Sequence, residues 1–179
     1  MILTLTANPA IDRNVAVDRL VFEDRAYILN TRESAGGRGI NASFVIHSYG
    51  APTLAIAICG GKSGKLLEGF LTDAAFPCEF VRVRNEIRTN FTIADKNGLA
   101  IKLNEHGPAL SEVEVARLEK TVRSRMKDAT WLLLCGSLPP GVPDDFYARL
   151  IHAASTAGVK TLLDTDGAPV EAALEEGPT

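Results

Sequence analysis

The sequence predicts an α/β fold in which helices flank a mostly parallel sheet and two further β segments form a small lid. Short apolar segments alternate with helical patterns of about 10–15 residues, which is typical of βαβ units. Two segments of alternating apolar and polar residues, at about 13–33 and 88–104, interrupt this rhythm. Because both are too polar for a sheet that is buried on two faces, we assign them to a separate layer.

The first strand is predicted at residues 2–6, a β-branched and apolar run that Asn8 and Pro9 end. Asp12 follows this strand closely. Ligands of open α/β sheets bind beyond the carboxyl ends of the strands, so Asp12 is placed to accept hydrogen bonds from hydroxyl groups. A solvated turn aspartate is the alternative.

Apolar periodicity, caps and turns predict the remaining elements. Further strands are expected at 53–59, 79–83, 131–135 and 161–164, and helices at about 40–49, 64–73, 111–126, 143–157 and 168–174. Ser111 and Glu114 form a capping-box pattern at the start of the third helix. The Asn-Gly turn at 97–98 predicts a hairpin between 90–94 and 99–103.

Composition and charge are those of a globular protein. Hydrophobic residues make up 46% of the 179 residues and charged residues 23%. A net charge of −3 gives no electrostatic reason to expect binding to nucleic acid or to an anionic membrane. No apolar run approaches the roughly 20 residues that span a bilayer, and residues 1–7 do not form a signal peptide.

The cysteines and histidines do not indicate a metal site. Cys59, Cys78 and Cys135 are odd in number, widely spaced and without a C-x-x-C pair. They are typical of reduced thiols, so we expect a cytoplasmic protein. The three histidines are equally scattered, and none has the spacing of a metal-binding motif.

A glycine-rich turn at residues 36–39 is the first candidate for function. Gly36, Gly37 and Gly39 allow a backbone to approach a ligand closely, and Arg38 adds a cation among them. A helical pattern follows at once, and the free N–H groups of a helix N-terminus favour anions. The turn is therefore typical of an anion-binding or sugar-binding site, and an ordinary glycine turn is the alternative.

Three familiar enzyme motifs are matched only in part. Residues 37–42 fit G-x-G-x-x-A, but a polar segment precedes them and no acidic residue ends a strand about 20 residues later, so we reject a dinucleotide site. Residues 61–63 resemble the end of a P-loop, but Ile56 stands where that motif requires glycine. The turn at 136–138 lacks the G-x-S-x-G pattern of a nucleophile elbow.

Four motifs in a fixed order resemble the PfkB carbohydrate kinases of the ribokinase superfamily. They are T-A-N-P-A-I-D at 6–12, A-G-G-R-G-I-N at 35–41, R-T-N at 88–90 and G-S-L-P-P-G at 136–141. The similarity is greatest to the phosphosugar branch, which includes 1-phosphofructokinases and tagatose-6-phosphate kinases. It implies a ribokinase-like, Rossmann-like sheet with a β lid, and it makes residues 1–179 the amino-terminal part of one kinase domain.

The resemblance also implies an activity. Members of this branch phosphorylate a hydroxyl of a sugar phosphate with ATP and Mg²⁺, here fructose 1-phosphate to fructose 1,6-bisphosphate. Tagatose 6-phosphate and fructose 6-phosphate are the alternative substrates. A homodimer through the β lid is implied as well.

Site residues follow from the same resemblance. The residues implied to bind the substrate are Asp12, Gly37, Arg38, Gly39, Asn41, Arg88 and Ser137. Arg38, at a position where branch members often carry lysine, and Arg88 would pair with the phosphate that the substrate already has, because a dianion favours two cations. Arg25 matches a position that reaches the site of a partner subunit, and a solvated surface charge is its alternative.

The catalytic base that the resemblance implies is missing from the sequence. It is the aspartate of a G-A-G-D motif, and residues 164–169 match only its start, with Pro169 and Val170 where glycine and aspartate are required. The N-x-x-E motif associated with Mg²⁺ is absent too. We therefore expect an amino-terminal fragment that holds the sugar-phosphate half of the site and is inactive alone. A non-catalytic phosphosugar-binding or dimerisation module is the alternative.

Overall fold

Nine strands and five helices make up the structure, a computed structural model that describes residues 1–21 and 23–179. The strands are β1 (Ile2–Thr6), β2 (Ala10–Val17), β3 (Ile28–Gly36), β4 (Thr53–Cys59), β5 (Cys78–Arg82), β6 (Arg88–Asp95), β7 (Ala100–Asn104), β8 (Trp131–Cys135) and β9 (Lys160–Asp164). The helices are α1 (Arg38–Ser48), α2 (Gly61–Asp73), α3 (Glu112–Met126), α4 (Phe146–Thr156) and α5 (Ala168–Leu174).

The central sheet has five strands in the order β5-β4-β1-β8-β9. Every neighbouring pair is parallel, which confirms the predicted α/β class. The middle strand β1 pairs with β4 on one side and with β8 on the other. Leu3 and Leu5 of β1 and Leu132 and Leu134 of β8 have no exposed surface, as expected of strands that helices cover on both faces.

Helices pack on this sheet through one apolar side each. In α3 the buried residues are Val115, Leu118, Val122 and Met126, a spacing that keeps them on one face of the helix. Helix α4 contributes Phe146 and Tyr147, which are fully buried. No helix among the described residues is both long and apolar enough to cross a membrane.

The second sheet, which we call the lid sheet, consists of β2, β3, β6 and β7 in the order β3-β2-β6-β7. The two hairpins that the sequence predicts are the antiparallel pairs β2–β3 and β6–β7. The structure joins them through parallel pairing of β2 with β6, in which Ala10 lies opposite Arg88. Strand β2 begins at Ala10, before the predicted lid segment at about 13–33, so Asp12 is the third residue of this strand and does not lie in a turn, which was the alternative for it.

Three helices begin more than one residue away from the predicted start. Helix α2 starts at Gly61 and not at residue 64, and the N–H of Gly64 bonds the carbonyl of Gly60. Helix α1 already starts at Arg38, with Gly37 as its N-cap at a φ of 131° that favours glycine. Helix α4 starts at Phe146 and not at Pro143, because the N–H of Phe146 bonds the carbonyl of Pro143 in a preceding turn. The earlier start of α1 brings its N-terminus to the end of β1.

Candidate functional site

A polar cleft of about 400 Å³ lies where the central sheet, the lid sheet and the N-terminus of α1 meet. Its lining residues are Thr6, Asn8, Asp12, Gly37, Arg38, Asn41, Arg88, Asn90, Asn104, Gly136, Ser137 and Asp166. They end or follow strands β1, β8 and β9, lie on the lid sheet, or belong to the start of α1. This is the carboxyl edge of the parallel sheet, where ligands of open α/β folds bind.

Six of the seven residues implied to bind the substrate line this cleft, and Gly39 is the exception. Gly39 is buried behind the lining, where a Cβ atom would lie 2.5 Å from Thr6 Oγ1 and 2.7 Å from the carbonyl oxygen of Leu5. Its role in the structure is therefore to let α1 approach β1. Arg25 lies outside the cleft, exposed in the connection between β2 and β3.

The lid sheet fixes the carboxylate of Asp12. In β6, Asn90 lies opposite Asp12, and its Nδ2 donates a hydrogen bond of 3.0 Å to Asp12 Oδ1. On the other side, a Cβ atom at Gly36 would lie 2.4 Å from Asp12 Oδ2, so only glycine leaves room for the carboxylate. Oδ2 has no hydrogen-bond donor among the described residues, which leaves it free for a ligand hydroxyl.

Arg88 presents a half-buried guanidinium to the same cleft. Its Nη1 donates to the carbonyl oxygen of Glu105 at 3.2 Å, whereas the buried Nε has no partner among the described residues. Burial lowers the pKa of Arg88, and the nearby charge of Asp12 partly opposes this shift. A desolvated cation with an unused donor is suited to a negatively charged ligand.

Unpaired buried polar atoms concentrate around the cleft. Among the described residues they include Thr6 Oγ1, Asn8 Oδ1, Arg88 Nε and Asn90 Oδ1, all from lining residues. Leaving such an atom without a partner costs about 1–3 kcal/mol each. A polar ligand that supplied both donors and acceptors would recover part of this cost.

Arg38, in contrast, is already engaged. Its Nη1 donates to Asp164 Oδ1 at 3.1 Å, and its Nη2 forms an ion pair with Asp166 Oδ2. Hydrogen bonding to Asp166, and then to Asp164, raises the pKa of Arg38. The two arginines implied to bind phosphate are therefore in different states: Arg88 has an unused donor and Arg38 is held by carboxylates.

The turn after β8 closes the cleft on its remaining side. Gly136 has a φ of 91°, and its carbonyl accepts hydrogen bonds from Thr165 Oγ1 at 2.9 Å and from the Tyr147 hydroxyl at 3.0 Å. Asn8 Nδ2 donates to Ser137 Oγ at 3.2 Å. Ser137 is thereby held at the carboxyl end of β1, as a pocket-closing residue must be.

Sequence reasoning gave no role to several lining residues, among them Thr6, Asn8, Asn90, Asn104 and Asp166. Thr6, Asn8 and Asn90 belong to the motifs at 6–12 and 88–90, so the motifs themselves carried that signal. Asn104 and Asp166 lie outside all four motifs. Nothing in the local sequence distinguishes them from surface residues.

The profile of the pfkB family of carbohydrate kinases matches residues 5–178. This chain belongs to the pfkB family. The match covers nearly the whole sequence and confirms the resemblance that the four motifs indicate. The cleft thus lies in a carbohydrate kinase fold.

Solved pfkB kinases share this architecture. Phosphofructokinase-2 from Escherichia coli in complex with fructose-6-phosphate is 30% identical, with a TM-score of 0.91 over 98% of this chain and 58% of its own. The tetrameric inhibited form of the same enzyme is also 30% identical, with a TM-score of 0.90 over 98% of this chain and 58% of its own. A possible 1-phosphofructokinase from Thermotoga maritima is 30% identical, with a TM-score of 0.89 over 98% of this chain and 57% of its own. The chain therefore spans less than three fifths of the length of these pfkB kinases.

Kinases of the pfkB family generally use ATP and Mg²⁺. Within residues 1–21 and 23–179, no three His, Cys, Asp or Glu side chains converge to hold a metal ion. Asp166, which lines the cleft, and Asp164 are both paired with Arg38.

Proposed function

We propose that the cleft binds a sugar phosphate and is the acceptor half of a kinase active site. One observation carries this proposal: Asp12, with a free carboxylate oxygen, and the cationic side chain of Arg88 line the same small polar cleft. A carboxylate accepts hydrogen bonds from sugar hydroxyls, and a guanidinium binds phosphate. A ligand that carries both hydroxyl groups and a phosphate would satisfy these two residues in one cleft.

The chemistry of binding follows from the lining residues. Asp12 would orient the sugar through its hydroxyls, and Asn41 and Asn90 add amide groups beside it. Arg88 would bind the existing phosphate. Helix α1 begins here without a side-chain cap at Gly37, so its first N–H groups are available to an anion or to a sugar oxygen.

We propose fructose 1-phosphate as the substrate and fructose 1,6-bisphosphate as the product of the intact protein, with ATP and Mg²⁺ as cosubstrates. Fructose 6-phosphate is the second candidate, because the similar phosphofructokinase-2 structure is a complex with that sugar. Tagatose 6-phosphate is the third. A coupled ADP-release assay that compares kcat/KM for the three sugars decides between them, and any best substrate other than fructose 1-phosphate would refute our assignment.

We further propose that the 179 residues alone bind the acceptor without phosphoryl transfer. They contain no G-A-G-D segment, and this motif supplies the catalytic base of the family. A phosphosugar-binding module without catalysis is the competing function. It would be supported if the intact protein bound fructose 1-phosphate but released no ADP in the same assay.

Arg88→Met is the direct test of the binding site. We expect at least a tenfold loss of affinity for fructose 1-phosphate by isothermal titration calorimetry, because a charge-assisted hydrogen bond contributes about 1.5–3 kcal/mol. Arg84→Met is the matched control, since Arg84 is exposed and outside the cleft. Equal affinity in Arg88→Met and the wild type would rule out this cleft as the phosphate site.

We also propose a cytoplasmic homodimer that forms through the lid sheet. Several large apolar side chains at the ends of its strands are more than half exposed, namely Tyr27, Ile28, Leu29, Leu99 and Leu103. They belong to or adjoin β3 and β7, the two edge strands of the lid sheet, and exposed apolar side chains at a sheet edge favour pairing with another chain. Arg25, next to this surface in the chain, remains the proposed contact to the partner's site, and the tetrameric form of phosphofructokinase-2 gives a precedent for assembly in the family.

A further inference from the structure

We propose that Asp166 is a positioning residue that covers Arg38 until the phosphate of a bound sugar displaces it. The inference rests on the proposed function of the cleft. It differs from the role implied by sequence, in which Arg38 and Arg88 are equivalent phosphate ligands. Here the two arginines act in order, Arg88 first and Arg38 after an exchange of ion pairs.

The contacts of Arg38 show where a phosphate would compete with carboxylates. Nη1 is engaged by Asp164, through Oδ1 at 3.1 Å and the carbonyl oxygen at 3.4 Å, and Nη2 is engaged by Asp166. A guanidinium has five N–H groups, and bidentate binding of a phosphate uses two of them. A phosphate that binds across Nη1 and Nη2 therefore competes with these two carboxylates for the terminal nitrogens.

The pair with Asp166 is suited to such an exchange. The side chains of Arg38 and Asp166 are 43% and 68% exposed, and ion pairs at this exposure contribute little to stability. A phosphate dianion offers the guanidinium more charge and more acceptors than one carboxylate does. A neutral sugar offers no anion, so it leaves the pair intact.

Asp166 is also in a position to move. It lies in the short connection between β9 and α5, just before Gly167 with a φ of 71°. Its carboxylate makes no hydrogen bond to any described residue other than Arg38. Asp164 is held more firmly, because it ends β9, and the N–H of Gly136 bonds its carbonyl at 2.7 Å.

The first test measures binding. The Asp166 carboxylate competes with a phosphate for Arg38, and Asp166→Asn removes its charge. We therefore expect fructose 1-phosphate to bind this variant about two- to fivefold more tightly, while binding of fructose is unchanged. Asp145→Asn is the matched control: Asp145 forms an exposed ion pair with Arg149 on α4, outside the cleft. Unchanged or weaker binding of fructose 1-phosphate by Asp166→Asn would overturn the inference.

A second variant separates a role through Arg38 from a merely structural one. A protein that already carries Arg38→Met has no Arg38–Asp166 ion pair, so adding Asp166→Asn cannot free a guanidinium. We therefore expect its effect on affinity to vanish. If the same effect persists without Arg38, Asp166 acts on the cleft in another way and the inference is wrong.

Chemical labelling tests the covering of Arg38 without any sugar. Phenylglyoxal modifies accessible guanidinium groups, and peptide mass spectrometry reports the rate at Arg38. We expect faster labelling of Arg38 in Asp166→Asn than in the wild type, and the wild-type rate in Asp145→Asn. Equal rates in all three proteins would overturn the inference, whereas a wild type that binds no sugar phosphate would overturn the proposed function itself.

Discussion

Gly36 and Gly39 have no side chain, and this leaves room for neighbouring groups in and behind the cleft. A side chain at Gly36 would occupy the place of the Asp12 carboxylate, and one at Gly39 would collide with Thr6 and with the backbone of β1. Neither residue needs a positive φ, because the constraint is the close approach of neighbouring groups. The glycine-rich turn therefore shapes the packing of α1 against β1 and the lid sheet, and at Gly39 the absence of a side chain is what permits the close approach to β1.

Gly39→Ala is expected to destabilise the protein by about 1–3 kcal/mol, since the carbonyl of Leu5 must shift to admit a methyl group. Gly69→Ala, in α2, is the matched control. No atom lies within 4 Å of a Cβ built there, so we expect a gain of about 0.5–1 kcal/mol from helix propensity. Urea unfolding measures both, and a Gly39→Ala variant as stable as the wild type would contradict the packing role.

At the scale of elements, a hydrogen bond links the N-terminus of α3 to the segment between β5 and β6. Ser111 and Glu114 form the capping box, in which Glu114 Oε2 accepts from the N–H of Ser111 at 2.8 Å. The second oxygen of Glu114 accepts from the N–H of Arg84 at 2.7 Å, just beyond β5. One carboxylate thus caps a helix and fixes the segment that leads into β6.

These hydrogen bonds, first that from Ser111 and then that from Arg84, lower the pKa of Glu114 below its ordinary value of 4.5. The unfolded chain takes up the proton at higher pH than the folded protein. The stabilisation is therefore complete above pH 4.5 and is lost as the pH falls through the lowered value. We expect the difference in unfolding free energy between the wild type and Glu114→Gln to shrink with acidification, and a constant difference would contradict this account.

At the scale of the whole molecule, the lid sheet has an edge that the rest of the chain does not cover. The first half of β3 is exposed on both faces, and Ile28 is 66% exposed. Strand β3 is also at the end of its sheet, so its outer backbone groups have no neighbouring strand. A free edge with apolar side chains favours association with a second copy.

Ile28→Asp is expected to convert the proposed dimer into a monomer, because a charge would be buried at the interface. Tyr49→Asp is the control, since Tyr49 is 86% exposed at the end of α1, away from the lid sheet. Analytical ultracentrifugation measures the change. A monomeric wild type, or an Ile28→Asp variant that stays dimeric, would refute the dimer.

Local patterns predicted most of the fold. The apolar runs of β1 and β8 and the capping box of α3 each fix an element through residues that are neighbours in sequence. The pairing of β2 with β6 was not predictable in this way, because it joins Ala10 to Arg88 and no turn specifies its register.

The candidate site was predicted in outline through motifs, not through geometry. Asp12, Arg88 and Ser137 were assigned by resemblance, and the structure brings all three to one cleft. The state of Arg38 was beyond sequence reasoning, since its partners Asp164 and Asp166 are more than a hundred positions away. Side-chain pairing across such a separation depends on the completed sheet.

The central position of β1 has a consequence for the order of events on the ribosome. Its residues are made long before those of β8, yet Ile2 pairs with Trp131, so the strand lacks one neighbour until β8 has been synthesised. At typical elongation rates of about 5–20 residues per second, this wait lasts on the order of ten seconds. The nascent strand, apolar and unpaired on one side, is therefore a candidate for chaperone capture well before the cleft can exist.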